Sequence, residues 1–253
     1  MKKIDPDTKS TTMKNTESTV ENSSKVKWNK RFTYPKSVRS LKDGQRHYDV
    51  GDEKLPSVTT ILSATQSDEK RESLAKWIAK KGENQANRVK NEAAKRGSAM
   101  HSILEHHILG NNSLDLTDIG QEAHRMAKVV IEKGFSNLEE VWGSEVGLSY
   151  PGLYAGQTDL VGVYQGRESI VDFKQSNKPK REEWIEDYYY QGVAYATAHD
   201  CIYGTRIEQC VIMMCTPDLF YQQFVLNGSR FRQYKWKWLW RLSEFYRLQN
   251  TVR

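Results

Sequence analysis

Asp159, Asp172 and Lys174 are the residues of this chain whose types and spacing could do chemistry. Each aspartate lies in a short apolar run, and the polar turn 164–167, which has the length of a hairpin loop, joins the two runs. Adjacent antiparallel strands would place both carboxylates beside one divalent cation, with Lys174 on the same face as Asp172, where its ammonium could position a water molecule. The pattern predicts a metal site. For Asp-x-Lys alone, a surface salt bridge is the alternative.

A histidine upstream favours the metal site over the salt bridge. Residues 91–109 predict a helix with a buried stripe at helical spacing, and His101 lies at the edge of that stripe, one turn before Glu105. A histidine in this position is commonly a satisfied core residue. Gly97, one turn before His101, would let another backbone or a nucleic-acid strand approach closely. The predicted stripe consists of Ala93, Gly97, Met100, Leu104 and Ile108.

A second helix is predicted over residues 181–200, downstream of the hairpin. One face of it is apolar, comprising Ile185, Tyr189, Val193 and Ala196. The opposite face carries aromatic and amide side chains at spacings of three and four residues, namely Trp184, Tyr188, Gln191 and Tyr195. Such a helix is either buried on two sides or presents its second face to a ligand.

Together these segments resemble the RecB-type branch of the PD-(D/E)XK nucleases. The resemblance rests on the Gly-x-x-x-His pattern ending at His101, the two aspartates, the Asp-x-Lys motif, and Gln-x-x-x-Tyr from Gln191 to Tyr195, in this order. One departure is Thr158, which stands where the name of the motif places proline, a position that does not bind metal. Three further segments are similar to the mitochondrial genome maintenance exonuclease and its bacteriophage relatives: 55–59, 171–180 and 234–242.

The resemblance implies a Mg²⁺-dependent or Mn²⁺-dependent deoxyribonuclease that hydrolyses phosphodiester bonds at free ends of single-stranded DNA or flaps. Such an enzyme would act in DNA replication, repair or recombination. A nuclease of the same fold that acts on duplex ends or junctions is an alternative. A non-catalytic DNA-binding protein on a decayed nuclease fold is a weaker one, because the metal ligands and the lysine are all present.

The resemblance also implies a role for each site residue. Asp159, Asp172, the backbone carbonyl of Phe173 and His101 would bind the metal, and the imidazole nitrogen would make Mn²⁺ an effective substitute for Mg²⁺. Lys174 would orient the attacking water and stabilise developing charge. Glu145, on the first predicted strand, would bind a second metal or orient a water; a solvated edge-strand glutamate is equally compatible with the sequence.

Substrate contacts are expected on the second helix and just before it. Gln191 and Tyr195 would hold the strand beside the cleaved bond, and Trp184 and Tyr188 would stack unpaired bases. Two lysines after the strand that carries Asp172, Lys178 and Lys180, would contact phosphates of the DNA backbone. Lysines in such a run of charges are, however, commonly solvated surface residues without a ligand.

The order of elements predicts an α/β fold with a PD-(D/E)XK restriction-endonuclease-like core, in which helices flank a mixed central sheet. We expect strands at 141–150, in the hairpin, at 207–214 and at 220–226, and a last helix from Ser229. Residues 31–253 would form one nuclease domain that acts as a monomer on single-stranded DNA. In the last helix, one stripe faces the core, and Trp236 and Trp240 outside it are expected to pack rather than to stack bases.

Composition agrees with this function. The chain has 38 basic and 32 acidic residues, a net charge of +6, and a sequence pI near 9.0, which is a weak nucleic-acid signal. Residues 1–30 are almost free of apolar side chains and are predicted to be a disordered tail. Because this tail contains acids and lacks arginine, it favours the cytoplasm, of a bacterial host if the protein is viral, over mitochondria. No membrane-spanning run is visible.

The cysteines Cys201, Cys210 and Cys215 are odd in number and lack a Cys-x-x-Cys pair, so neither a disulfide framework nor a zinc ribbon is predicted. Three cysteines also cannot supply the four thiolates of the iron-sulfur cluster found in some RecB-type nucleases. We expect all three to be small buried hydrophobic residues.

Overall fold

The computed structural model describes residues 26–111 and 113–251. This part of the chain contains eight strands, six α-helices and two short 3₁₀ helices. The strands are β1 (Val38–Lys42), β2 (Gln45–Val50), β3 (Glu53–Pro56), β4 (Leu138–Tyr150), β5 (Tyr154–Tyr164), β6 (Arg167–Gln175), β7 (Gln209–Cys215) and β8 (Tyr221–Asn227). The helices are α1 (Val58–Ala64), α2 (Asp68–Lys81), α3 (Glu83–Ile108), α4 (Asp118–Gly134), α5 (Glu186–Tyr203) and α6 (Gly228–Thr251).

The central sheet has the strand order β4-β5-β6-β7-β8. The β6–β7 pair is parallel and the other three pairs are antiparallel, so the sheet is mixed. A parallel pair needs a crossover connection, and α5 provides it between β6 and β7. The predicted mixed α/β fold is confirmed, with the predicted order of one helix-rich segment, three strands, a helix and further strands.

Helices cover both faces of this sheet because its strands alternate two apolar sets of side chains. Along β6, Ile170 belongs to the core on the α5 and α6 side, whereas Val171 and Phe173 belong to the core on the α3 and α4 side. Every residue of β7 is buried, as expected for a central strand with helices on both sides.

The predicted hairpin is present with the predicted turn. The register of β5 and β6 pairs Tyr164 with Arg167, which leaves Gln165 and Gly166 as a two-residue loop. Both loop residues have positive φ angles, 50° and 70°, as a type I′ turn requires. This turn fixes the register that carries the two aspartates.

A second sheet, formed by β1, β2 and β3, was not predicted, because no strand was expected before residue 141. Its first turn is Asp43-Gly44, with φ angles of 52° and 73°, and its register is antiparallel throughout. An Asp-Gly pair between two strand-like runs is a strong short-range hairpin signal. The signal was therefore present in the sequence.

The last residues of the predicted tail, 26–30, belong to the described part of the chain. Residues 1–25 lie outside the described residues, but residues 26–30 lie along β4, where Asn29 N donates to Val141 O at 2.8 Å and Val141 N donates to Lys27 O at 2.9 Å. Trp28 Nε1 also donates to Ile108 O at 2.9 Å. Val26 and Trp28 pack against the core on the α3 and α4 side, so residues 26–30 are part of the folded chain.

Two predictions about burial were also wrong. Trp236 and Trp240 on α6 are 74% and 70% exposed, because the stripe of Phe231, Trp238 and Leu242 already faces the core. Cys201 is exposed near the end of α5, whereas Cys210 and Cys215 are buried as expected. Within residues 26–111 and 113–251, no helix combines the length and apolarity needed to cross a membrane.

Candidate metal centre and nucleic-acid interface

Asp159 and Asp172 meet where the β5–β6 ladder ends. The last paired residues are Leu160 and Val171, so the two aspartates occupy the next position on each strand. There the Phe173 N–H donates to Asp159 Oδ2 at 2.6 Å, and the carboxylate accepts the hydrogen bond that a ladder carbonyl would otherwise take. The strands thus separate around the carboxylates, which are both largely removed from solvent.

His101 reaches this point from α3. The buried face of that helix holds Met100, Leu104 and Ile108, and His101 lies at its edge, with Nδ1 3.1 Å from Asp159 Oδ1. Gly97 allows the close approach, since a Cβ at that position would lie 3.3 Å from Gln175 Cγ on β6. The glycine therefore serves the packing of α3 on the sheet.

Glu145 is the third residue that could supply a ligand atom to a metal ion. Ser144 pairs with Leu160 and Val146 with Thr158, so the register places Glu145 opposite Asp159. Glu145 has a φ of 51°, a strained angle for a residue other than glycine. Its Oε2 accepts from Gln157 Nε2 at 2.5 Å. Backbone strain of this kind is concentrated at functional sites.

One donor atom from each of His101, Glu145 and Asp159 lies within 4.8 Å of the other two. The carboxylates repel each other: burial, followed by the charge of Asp159, raises the pKa of Glu145 to about 7. Burial opposes the charge of Asp159, yet the charge and hydrogen bond of His101 hold the pKa of Asp159 below its usual value. The pKa of His101 is in turn raised, because Asp159 outweighs the effect of burial.

Lys174 and Asp172 form an ion pair on the α5 side of β6, with side chains that are 19% and 6% exposed. Burial alone would lower the pKa of Lys174, but the charges of Asp172 and Asp159 outweigh it and raise the pKa. Lys174 is therefore a cation at neutral pH. Its Nζ lies 5.2 Å from the ring centroid of Tyr188. The predicted role of the Phe173 carbonyl as a metal ligand stays a prediction.

The residues predicted to contact substrate differ in how far they are exposed to solvent. Trp184, in a short 3₁₀ turn before α5, is 56% exposed, and Tyr188 and Gln191 are half-buried. Tyr195 is only 5% exposed, and its ring packs so closely on β5 that a Cβ at Gly156 would lie 2.6 Å from Cε1. The prediction that Tyr195 contacts substrate stays a prediction, although the residues of α5 from Gly192 to His199 are all buried.

The two predicted lysines lie in the segment after β6. Lys178 is exposed, while Lys180 is fixed by its backbone: Lys180 N donates to Gln222 Oε1 at 2.7 Å and Gln222 Nε2 donates to Lys180 O at 2.8 Å. Both line the same cleft as Trp184 and Tyr188. The structure thus places these two lysines, Trp184 and Tyr188 around one cleft. The group formed by His101, Glu145 and Asp159 does not line that cleft.

Sequence reasoning missed three residues beside the metal centre. Arg39, Arg46 and Tyr48 of the β1–β2 hairpin line a cleft of about 480 Å³ together with His101 and Glu145. The Asp43-Gly44 turn signal would have predicted the hairpin that carries them, but not its position beside the metal centre.

No family model matches the chain. The mouse mitochondrial genome maintenance exonuclease 1 is 27% identical over 212 residues, covering 78% of this chain and 61% of its own length. The human protein of that name is 28% identical over 206 residues, covering 76% of this chain and 58% of its own. The chain resembles the mitochondrial genome maintenance exonucleases. It spans about three fifths of the length of these relatives.

Two solved structures are more distant. A candidate exonuclease of Eubacterium rectale superposes with a TM-score of 0.46 at 14% identity, covering 63% of this chain and 68% of that one. An alkaline exonuclease of Laribacter hongkongensis gives a TM-score of 0.27 at 15% identity, covering 61% and 84%.

Proposed function

We propose that this chain is a divalent-metal-dependent exonuclease that hydrolyses phosphodiester bonds from free ends of single-stranded DNA or flaps. The observation that carries the proposal is the meeting of His101, Glu145 and Asp159 within 4.8 Å, next to the Asp172–Lys174 pair. The similarity to the two mitochondrial genome maintenance exonucleases supports the same class of activity.

The donor set fits a small divalent cation. Ligand atoms of one octahedral Mg²⁺ at roughly 2.1 Å stand roughly 3 to 4 Å apart, a spacing compatible with donor atoms that lie within 4.8 Å of one another. The pKa of Glu145, raised to about 7, reflects the burial of this carboxylate close to Asp159. A cation between them would relieve that repulsion. One imidazole among carboxylates suits Mn²⁺ as well as Mg²⁺.

Asp159, Glu145 and His101 would hold the metal, with Asp172 and the Phe173 carbonyl completing the site. When bound, a divalent cation lowers the pKa of a water molecule and neutralises charge on the scissile phosphate. Lys174 supplies a fixed positive charge beside this centre, since its ammonium is protonated and held by Asp172. Its role is to orient the attacking water and to stabilise the charge that develops on the phosphate.

Recognition of single strands is supported by the aromatic side chains near Lys174. Trp184 is more than half exposed and Tyr188 half-buried, so both retain ring surface on which unpaired bases could stack. A duplex would have to open before its bases could make these contacts. Arg39 and Arg46, across the metal cleft, would neutralise phosphates of the same strand.

A panel of end-labelled DNA substrates with Mg²⁺ or Mn²⁺ tests the proposal. Linear single strands and flaps should be degraded from their ends, a blunt duplex should resist, and a covalently closed single-stranded circle should persist because it offers no end. Cutting of the circle as fast as the linear strand would identify an endonuclease with an open groove. Preferential degradation of the duplex would favour duplex-end resection instead.

A further inference from the structure

A second cleft lies beside the Lys174 side of the metal centre. We call it the α2 cleft and define it by Trp77 and Lys81 of α2, Lys178 and Lys180 after β6, and Trp184 and Tyr188 before and on α5. Its volume is about 560 Å³. Among the described residues that line it, the charged side chains are three lysines and no acid. Cations combined with three aromatic rings are the combination that binds unpaired nucleotides.

The helix α2, which lines one side of this cleft, has no fully buried residue. Within the described chain, α2 buries none of its 14 residues. Leu74, Trp77 and Ile78 nevertheless follow each other at helical spacing, and Leu74 is 43% exposed. Trp77 and Ile78 are half-buried, and Lys90 Nζ of α3 lies 6.0 Å from the ring centroid of Trp77. Part of the apolar face that includes Trp77 therefore remains open to solvent and to a ligand in the cleft.

The α2 cleft and the metal cleft lie along one face of α3. Val89 and Ala93 line the α2 cleft, and Gly97 and His101 line the metal cleft; these residues succeed one another at intervals of four. From Val89 to His101 the helix rises about 18 Å, at 1.5 Å per residue. At 3.4 Å per nucleotide of a stacked strand, this distance corresponds to roughly five nucleotides.

We propose that the α2 cleft is a single-stranded-DNA site that holds unpaired nucleotides roughly five positions from the scissile phosphate. The proposal rests on the proposed nuclease function for the identity of the neighbouring site, and it adds Trp77 and Lys81 as binding residues. Trp77 and Trp184 provide ring surfaces for bases, and Lys81, Lys178 and Lys180 contact phosphates. The complementary charge of the lining favours nucleic acid over an acid-poor protein surface as the occupant.

The first test measures binding, with metal removed by EDTA so that no strand is cut. Oligothymidylates of 3 to 15 nucleotides are titrated into the full chain and into Trp77→Ala. Wild-type affinity should rise as the strand becomes long enough to reach from the metal centre to the α2 cleft. Trp77→Ala should lose about 5-fold to 150-fold in affinity for the longest strand, the range for one stacked base. Trp77→Phe, which keeps a ring, should recover most of that loss.

Trp240→Ala is the matched control, because Trp240 is an exposed tryptophan that does not line the α2 cleft. Its binding should remain within about twofold of wild type. Lys81→Ala should flatten the plot of log affinity against log salt by about 0.7, the value for one lost phosphate contact to a single strand. Equal binding of the longest strand by Trp77→Ala, Trp240→Ala and wild type would overturn the proposal.

Cleavage assays on the same variants separate this inference from the proposed function. If wild type cuts DNA and Trp77→Ala cuts with unchanged KM, the α2 cleft is not a DNA site although the nuclease function holds. If no variant cuts but the length dependence disappears in Trp77→Ala, the cleft binds DNA and the proposed hydrolysis fails. A change confined to oligomeric state, with DNA affinity unchanged, would assign the cleft to a second copy of the chain and refute the DNA assignment.

Discussion

Replacing Glu145 by glutamine should make the metal-free protein more stable at neutral and alkaline pH while weakening metal binding. The carboxylate of Glu145 is ordinarily half-protonated at pH 4.5, but burial and Asp159 raise its pKa to about 7. A group whose pKa is raised on folding stabilises the folded state below its unfolded pKa and loses that contribution as pH rises through the folded pKa. Glu145→Gln carries no titrating group and removes this loss.

The size of the stability gain follows from the difference between the folded and unfolded pKa values of Glu145. At about 1.4 kcal/mol per pKa unit, the change from 4.5 to about 7 sets an upper bound of about 3.5 kcal/mol. The side chain is only half-buried, so solvent screening reduces the expected difference to about 2 kcal/mol. The advantage of Glu145→Gln should therefore be near zero at pH 4.5, grow up to about pH 7, and stay constant above it.

Urea unfolding with EDTA at pH 4.5 and pH 8 measures this difference, and repetition with Mn²⁺ reverses its sign. A cation at 100 times its dissociation constant stabilises the folded wild type by about 2.7 kcal/mol, and it should stabilise Glu145→Gln much less. Equal stabilisation of both proteins by Mn²⁺ would remove Glu145 from the metal centre. A stability difference that does not change with pH would refute the electrostatic reasoning.

Three further outcomes are expected. Lys174→Ala should lose cleavage with nearly unchanged Mn²⁺ affinity, because Lys174 acts beside the metal without binding it; a loss of metal affinity in calorimetry would contradict this. His101→Ala should raise the Mn²⁺ concentration needed for half-maximal cleavage, and unchanged affinity would return His101 to a packing role. Burial, with a smaller contribution from Arg31, lowers the pKa of His199 to about 4. Stability present above pH 6.5 should thus be lost as pH falls towards 4, and His199→Phe should lose less than wild type in urea unfolding.

Much of the metal centre could be predicted because local signals determine it. The Gln165-Gly166 turn fixes the register of β5 and β6, and that register alone sets Asp159 against Asp172. The helical spacing around His101 placed it at the edge of a buried face. The strained backbone of Glu145 follows from the path of β4 and has no sequence signal of its own.

Other features depend on how elements pack against each other. Tyr195 shares helical spacing with Tyr188, but α5 is buried from Gly192 to His199, and periodicity cannot reveal which neighbouring element covers a second face. Trp236 and Trp240 are 74% and 70% exposed, and periodicity likewise could not show that no neighbouring element of the described chain covers them. The cleft beside α2 depends on Trp77 and Trp184, which are far apart in sequence and meet only in the fold.

Cleavage and binding by Asp172→Asn test the central claim most directly. The change keeps the shape of the side chain and removes the charge that holds Lys174 and contributes to the metal centre. With end-labelled linear single strands and Mg²⁺, we expect cleavage to fall by about a thousandfold or more, while binding measured in EDTA stays within a fewfold of wild type. Cleavage by Asp172→Asn within about tenfold of the wild-type rate would contradict the account, because a centre that tolerates this loss could not be the one that hydrolyses DNA.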